Sequence, residues 1–377
     1  MSKNYFLAIA TLMGTIIGVG LFALPYITNQ SGVLPLVVFM ISLAFVQYYL
    51  QMLFAEAVLC TKKAHRLPGL MGEYSGETGR KLTFLVEIIG LCGSILAYII
   101  VGGIFLHQLL NLYFGGSEFL YSTILFIAVS VITFYEIKLI AGMELVLTLL
   151  MILAVGLIAW KGFGLIDVNN FRLIDWPNAV LPYGPIFFAV TGGAAIPEIC
   201  KLLAGNKEKI RSAIAWGTFA SAALMIAFVL IILGITGKNT TPDTLTGLAG
   251  VLPVGVVTVG LIFGLLAIIT SYIVFAQAAE EIYQWDLGFK NKTAWLLAAA
   301  VPYLLYLIGW NDLISVIGFT GAVCGGLSGI ILIWLIFKIK ARPQKDPGLK
   351  NKITKFLAYI LSILLILGII YEVFNLI

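Results

Sequence analysis

The chain has 377 residues, of which 61% are hydrophobic and only 11% charged, and its mean hydropathy is +1.05. A soluble domain carries about 25% charged residues, so this composition excludes a soluble globular protein and specifies an integral membrane protein. The net charge of +5 does not call for nucleic acid, because the basic residues sit in short connections between apolar runs.

Apolar runs near the length that crosses a ~30 Å hydrocarbon core fall at 5–27, 33–59, 82–113, 119–135, 142–161, 179–203, 212–235, 253–283, 293–309, 313–338 and 353–375. They predict about eleven membrane helices, an all-α polytopic protein, in one transmembrane domain over 1–377. The first run is expected to be retained: it is long and glycine-rich for a signal peptide and lacks a small-residue cleavage site in a polar flank. The polar stretches 61–81, 162–178, 236–252 and 339–352 read as ordinary loops. With the N-terminus cytoplasmic, 20 of the 23 Lys and Arg residues share one side, leaving only Lys161, Arg172 and Lys238 opposite. The positive-inside rule then predicts a cytoplasmic N-terminus and an extracytoplasmic C-terminus. Cys60, Cys92, Cys200 and Cys324 lie singly, without metal-ligand spacing, and read as small buried apolar residues.

The first run contains GTIIGVGLFALP at 14–25. Glycine costs about 1 kcal/mol against alanine inside a helix, so Gly14, Gly18 and Gly20 need a reason. One reading is a GxxxG packing face; the other is a helix broken at mid-membrane to offer backbone groups to a ligand. From Tyr5 to Gly14 is ~14 Å of helix, about half the core. The sixth run carries AVTGGAAIPEI at 189–199, its glycines also near mid-depth, with Pro197 suited to the first turn of a restarting helix.

Runs one to five and six to ten make two halves of five, 5–163 and 179–339, and an odd count inserts the second half upside down. Matching breaks in opposed halves predict an inverted repeat with a binding site between the breaks. The run 353–375 is left as an accessory helix. Irregular backbone at that depth is tolerated only where it is buried in protein or lines a wet cavity.

A zwitterionic amino acid fits such a site. The N–H groups of Ile17, Gly18, Val19 and Gly20, at the start of the second half-helix, suit a carboxylate. The carbonyls of Phe188, Ala189 and Val190, ending the opposed half-helix, suit an ammonium. The hydroxyls of Thr15 and Thr191 are candidates for the same ligand or simply bond back to their helices. Phe187 and Phe188 read as gates or as core.

In the eighth run, Ala267, Thr270 and Ser271 stand at i, i+3, i+4 on one helical face. Two hydroxyls and the Ala267 carbonyl there, with the Gly14 and Ile17 carbonyls, make five neutral oxygens, a set that suits Na+. The alternative is ordinary hydrogen bonding between helices.

These motifs resemble the amino-acid/polyamine/organocation transporter superfamily, whose fold is the LeuT-type arrangement of five plus five inverted helices with discontinuous first and sixth helices. The segment FFAVTGGAAIPEI is similar to the amino acid/auxin permease branch and its neutral amino acid transporters, and FAEAVLCTKK resembles that family's acidic segment. The A-x-x-T-S pattern of run eight resembles the sodium site of LeuT-type symporters. The resemblance implies import of a neutral amino acid by Na+ symport, with spans one, two, six and seven rocking against the rest. It also implies that Gly193 leaves room for a medium or large substrate side chain, since relatives often place a bulky residue there. Proton-coupled relatives can put a lysine in the fifth helix instead of sodium. Residues 142–160 hold none, which favours sodium, while Glu144 keeps H+ symport open; an exchanger is a further alternative.

A channel would need a ring of repeated polar groups, and a membrane enzyme clustered His, Cys or acidic residues at mid-depth. His65 and His107 lie apart, and neither pattern appears in the sequence. A sensor that binds an amino acid without moving it remains as the rival class. The expected partners are the amino acid and the lipid bilayer; no nucleic acid and no obligate protein partner are expected. Glu56 and Glu198, near the ends of their runs, are expected to pair with Lys or Arg.

Overall fold

The computed structural model describes residues 3–61, 65–135, 141–341, 349 and 354–376, with backbone alone for 141–144. The basic residues Lys62, Lys63, Lys138, Arg342, Lys345, Lys350 and Lys352, counted above for orientation, lie outside the described residues, as does the Glu144 side chain.

Helices follow the apolar runs, because a backbone in hydrocarbon must satisfy its own polar groups and a helix does so within one segment. In chain order they are α1 (Lys3–Ile16), α2 (Val19–Ser31), α3 (Val33–Cys60), α4 (Leu67–Phe114), α5 (Glu118–Phe134), α6 (Ala141–Gly162), α7 (Tyr183–Ala189), α8 (Ile196–Leu202), α9 (Lys207–Thr236), α10 (Leu245–Leu248), α11 (Val254–Glu281), α12 (Asn291–Leu307), α13 (Leu313–Phe319), α14 (Gly326–Lys340) and α15 (Lys355–Leu376). No strand occurs among the described residues. Eight helical stretches among them are long and apolar enough to cross a bilayer, and the bent pair α1–α2 makes a ninth. The helices α5 and α12 have 17 residues each, about 25 Å, and are shorter than any of those eight stretches.

Two expected loops carry structure. Residues 61–81 hold the first turns of α4, which runs for 48 residues through a kink at Gly76, φ 77°. That left-handed backbone is the reason a glycine stands there. Residues 236–252 fold into a 3-10 turn, Gly237–Asn239, and the single turn α10. The tenth run is also less regular than its hydropathy implies. A π-helical segment, Thr320–Gly325, joins α13 to α14. At Gly321 a Cβ would strike the backbone of Gly184 and Phe188 on α7, so the glycine permits this close approach.

The core forms where α4 packs against α11 and α5, α1 against α6 and α9, and α3 against α9. Its largest fully buried side chains include Phe22, Tyr98, Phe105, Phe187, Phe228 and Tyr272. The four cysteines are free; three are buried and Cys60 is half-buried. Glu56 is buried and its Oε1 lies 3.7 Å from Lys340 Nζ, the pairing expected of it. Glu198 is exposed, with no ion pair among the described residues. His107 packs its ring against Tyr121, centroids 5.5 Å apart.

Candidate functional site

The first break is real and sharp: α1 and α2 meet at 50°. Gly18 has φ −122° and ψ −142° there, so it is not in the left-handed region that favours glycine, and the feature that matters is space. A Cβ on Gly18 would sit 2.9 Å from Tyr98 Oη and 3.1 Å from Ser271 Oγ; one on Gly20 would sit 2.7 Å from Ala189 Cα. Gly18 and Gly20 therefore lie at the break and let neighbouring helices close in on it.

The set of free N–H groups is smaller than the sequence implies. Helix α1 overruns into the break, so the Ile17 N–H donates to Met13 O (2.7 Å) and the Gly18 N–H to Ile16 O (2.9 Å). The N–H groups of Val19 and Gly20, in the first turn of α2, have no hydrogen-bond partner among the described residues. The Thr15 hydroxyl is buried and donates to Thr11 O at 2.8 Å, so it is used within its own helix.

The second break lies between α7 and α8, where Val190, Thr191 and Gly192 precede the 3-10 turn Gly193–Ala195 and Pro197 stands in the first turn of α8. Of the three expected carbonyls, Phe188 O accepts from the Thr191 N–H at 3.1 Å and Val190 O from Gln51 Nε2 at 3.5 Å. Ala189 O has no partner among the described residues, and its residue touches Gly20, so the two breaks meet. Thr191 Oγ1 donates to Phe187 O (2.7 Å) and accepts from Gln47 Nε2 (2.8 Å). Gln51 in turn accepts from Thr218 Oγ1 at 2.9 Å. These glutamines of α3, which the sequence reading passed over as part of an apolar run, hold the second break in shape.

Beside the second break lies a cavity of about 160 Å³, lined among others by Phe188, Thr191, Gly193, Ala194, Ser94, Phe275 and Thr320. Its walls are largely apolar, with a few polar groups, the usual make-up of a small-molecule site. A Cβ on Gly193 would meet nothing within 4 Å, so this glycine opens onto the cavity. Phe188 lines it, whereas Phe187 is fully buried and stacked on Tyr183 at 6.1 Å. Phe187 is core. Glu87 also lines the cavity and accepts a hydrogen bond from Ser328 Oγ at 2.5 Å; the sequence reading missed this acid within the third run.

A second, smaller cavity of about 20 Å³ is lined by Gly14, Ile17, Ala267, Thr270 and Ser271, the five residues proposed from sequence, and by Leu147, Thr148, Met151 and Val274. Ser271 Oγ donates to Gly14 O at 3.0 Å and Thr270 Oγ1 to Ala267 O at 3.0 Å. Tyr98 Oη and Ser271 Oγ both stand beside Gly18, 2.9 and 3.1 Å from where a Cβ would sit, so Tyr98 borders the first break next to a residue that lines the small cavity. A tyrosine within an apolar run reads as core, so only the fold reveals it. No group of three or more His, Cys, Asp or Glu residues able to hold a metal occurs among the described residues.

The large cavity ends at Arg66. Its Nε donates to Glu281 Oε2 at 2.7 Å, Nη2 lies 2.6 Å from the same oxygen, and Nη1 donates to Ala194 O at 2.7 Å. One guanidinium therefore ties the second break to the end of α11. His65 and Asp286 stand beside it, 3.0 Å apart. Removing one partner of a largely buried pair leaves the other uncompensated, so Arg66→Ala is expected to open this floor. With Cys60, Cys92 and Cys200 changed to alanine, Cys324 in the cavity wall should then react with a polar thiol reagent about 10-fold faster, the equivalent of roughly 1.4 kcal/mol in the opening equilibrium. An unchanged rate would show that Arg66 does not close the cavity.

Solved structures share this architecture along nearly the whole chain. MhsT, in a crystal structure in complex with L-phenylalanine, gives a TM-score of 0.69 at 15% identity, covering 99% of this chain and 98% of that one. The Eremococcus coleocola manganese transporter, in complex with an aromatic bis-isothiourea substituted compound, gives 0.67 at 13% identity, covering 98% and 86%. No curated protein matches the sequence. The fold and its paired breaks define the class: an all-α, multi-pass membrane transporter of the LeuT type. The chain belongs to the tryptophan/tyrosine permease family, whose profile matches residues 1–374. It is a permease and not an enzyme.

Proposed function

We propose that this permease imports aromatic amino acids, tryptophan or tyrosine, by Na+ symport with alternating access. In this reading the substrate carboxylate faces the N–H groups of Val19 and Gly20, its ammonium faces Ala189 O, and its ring enters the cavity beside Gly193. The family supports the substrate class, as does the L-phenylalanine bound by MhsT. The halves 5–163 and 179–339 act as an inverted repeat around this site, with α15 accessory. The excess of Lys and Arg puts the N-terminus and the Arg66 floor on the cytoplasmic side and the C-terminus outside.

One observation carries the coupling ion: five oxygen-bearing residues from α1, the break and α11 surround one small cavity next to the substrate site. Carbonyls and hydroxyls are ligands for a hard cation, and a set without a carboxylate offers too little charge for a divalent ion. The sodium comes as a co-transported substrate, held by Gly14 and Ile17 carbonyls, the Ala267 carbonyl, and the Thr270 and Ser271 hydroxyls.

Gly193→Phe tests the aromatic pocket. A ring at this position enters the open cavity, so tryptophan and tyrosine binding should fall at least about 10-fold, the loss of roughly 1.4 kcal/mol. Alanine or serine, with no ring to place there, should compete for the site relatively better than before. Wild-type tryptophan affinity in this variant would place the ring elsewhere.

A further inference from the structure

Thr148 lies on α6, in the fifth apolar run, and is not among the five residues assigned to the ion. It lines the same small cavity. Its residue is 8% exposed, and its Oγ1 is buried with no hydrogen-bond partner among the described residues. Threonine inside a helix ordinarily donates to the carbonyl one turn back, as Thr15, Thr28, Thr83 and Thr236 do in this chain. Thr148 does not. A buried polar group left without a partner is destabilising, and such groups in native proteins point to a ligand, ion or water that completes them.

We propose that Thr148 Oγ1 is a sixth ligand of the coupling cation, supplied by α6. The proposal rests on the Na+ reading above and extends it. Leu147, Met151 and Val274 complete an apolar wall, so an ion in this space finds its oxygens on α1, α6, α11 and the break. A hydroxyl adds a ligand without adding charge, which keeps the site matched to a monovalent cation. With α1 in the rocking bundle and α6 and α11 outside it, the ion ties the moving helix to two neighbours and holds them together while it is bound. A single ordered water is the competing occupant, since a cavity of this size also admits one.

The test is equilibrium binding of radioactive Na+ to the purified full-length permease in lipid nanodiscs, without transport. Thr148→Val keeps the side-chain shape and deletes the hydroxyl; Thr148→Ser keeps the hydroxyl. Losing one ligand group should raise the Na+ dissociation constant about 10-fold in the valine variant. The serine variant should stay close to the wild type. Tryptophan binding at saturating Na+ should be unchanged in both, which also reports that they fold. Equal Na+ affinity in wild type and Thr148→Val would overturn the sixth ligand while the five-oxygen site stood. Wild-type protein that binds no Na+ would overturn the coupling reading, and this proposal with it.

Discussion

Gly18→Leu is expected to abolish substrate binding, with tryptophan affinity falling more than about 100-fold, or beyond roughly 2.7 kcal/mol. The backbone at Gly18 is not left-handed, and the expected effect is steric. A Cβ alone already stands 2.9 Å from Tyr98 Oη and 3.1 Å from Ser271 Oγ. Leucine adds three more carbons. Tyr98 cannot yield easily, being 2% exposed, stacked on Tyr272 at 6.3 Å and packed on Phe275 at 5.5 Å. Overpacking of this kind costs about 1–3 kcal/mol of stability, which a thermal melt separates from the binding loss. Gly18→Ala adds only the Cβ, at 2.9–3.1 Å from Tyr98 Oη, Tyr98 Cε1 and Ser271 Oγ, so it asks for a smaller shift and should lose about 10-fold or less. Wild-type tryptophan affinity in the leucine variant, measured by equilibrium binding, would mean that the first break does not hold the substrate.

The second large effect is at the ion. Changing both Thr270 and Ser271 to alanine removes two of the five proposed oxygens, and groups that bond to a buried charge are worth about 1.5–3 kcal/mol each. The half-saturating Na+ concentration should rise by at least about 100-fold. Tryptophan binding should weaken at low Na+ and recover at high Na+, because linkage makes each ligand change the other's affinity by the same factor. Na+ titrations of tryptophan binding in nanodiscs check this. An unchanged Na+ midpoint would remove α11 from the ion site. Ser271 also donates to Gly14 O and stands beside Gly18, so its single substitution is expected to disturb the substrate site more than that of Thr270.

What the sequence made legible, and what it hid, follows from how local each signal is. The breaks were legible because glycine clusters are conspicuous in runs that otherwise favour helix, and the cluster at 14–20 and the Gly192–Gly193–Pro197 segment fall where the helices part. The face of Ala267, Thr270 and Ser271 was legible because helical periodicity is local, and it does line one cavity with Gly14 and Ile17. The side chains of Thr15 and Phe187 were over-read, because nothing in sequence says whether a threonine bonds back or a phenylalanine packs inward. Tyr98, Glu87 and Thr148 were hidden for the opposite reason. Each is one polar group in an apolar run, and its role comes from neighbours on other helices, such as Gly18 beside Tyr98 and Ser328, 241 residues away, for Glu87. Arg66 was counted only as a topology charge, though it binds Glu281 and Ala194. The π-helical turn at Thr320–Gly325 was hidden too, since its glycines answer to the backbone of α7.

Uptake of radiolabelled tryptophan into proteoliposomes, with Na+ and pH gradients imposed separately, decides whether a Na+ gradient moves an aromatic amino acid through this fold. An inward Na+ gradient should drive accumulation above equilibrium, collapsing this gradient should stop it, and a pH gradient without Na+ should not replace it. Accumulation that follows the pH gradient and ignores Na+ would refute Na+ symport.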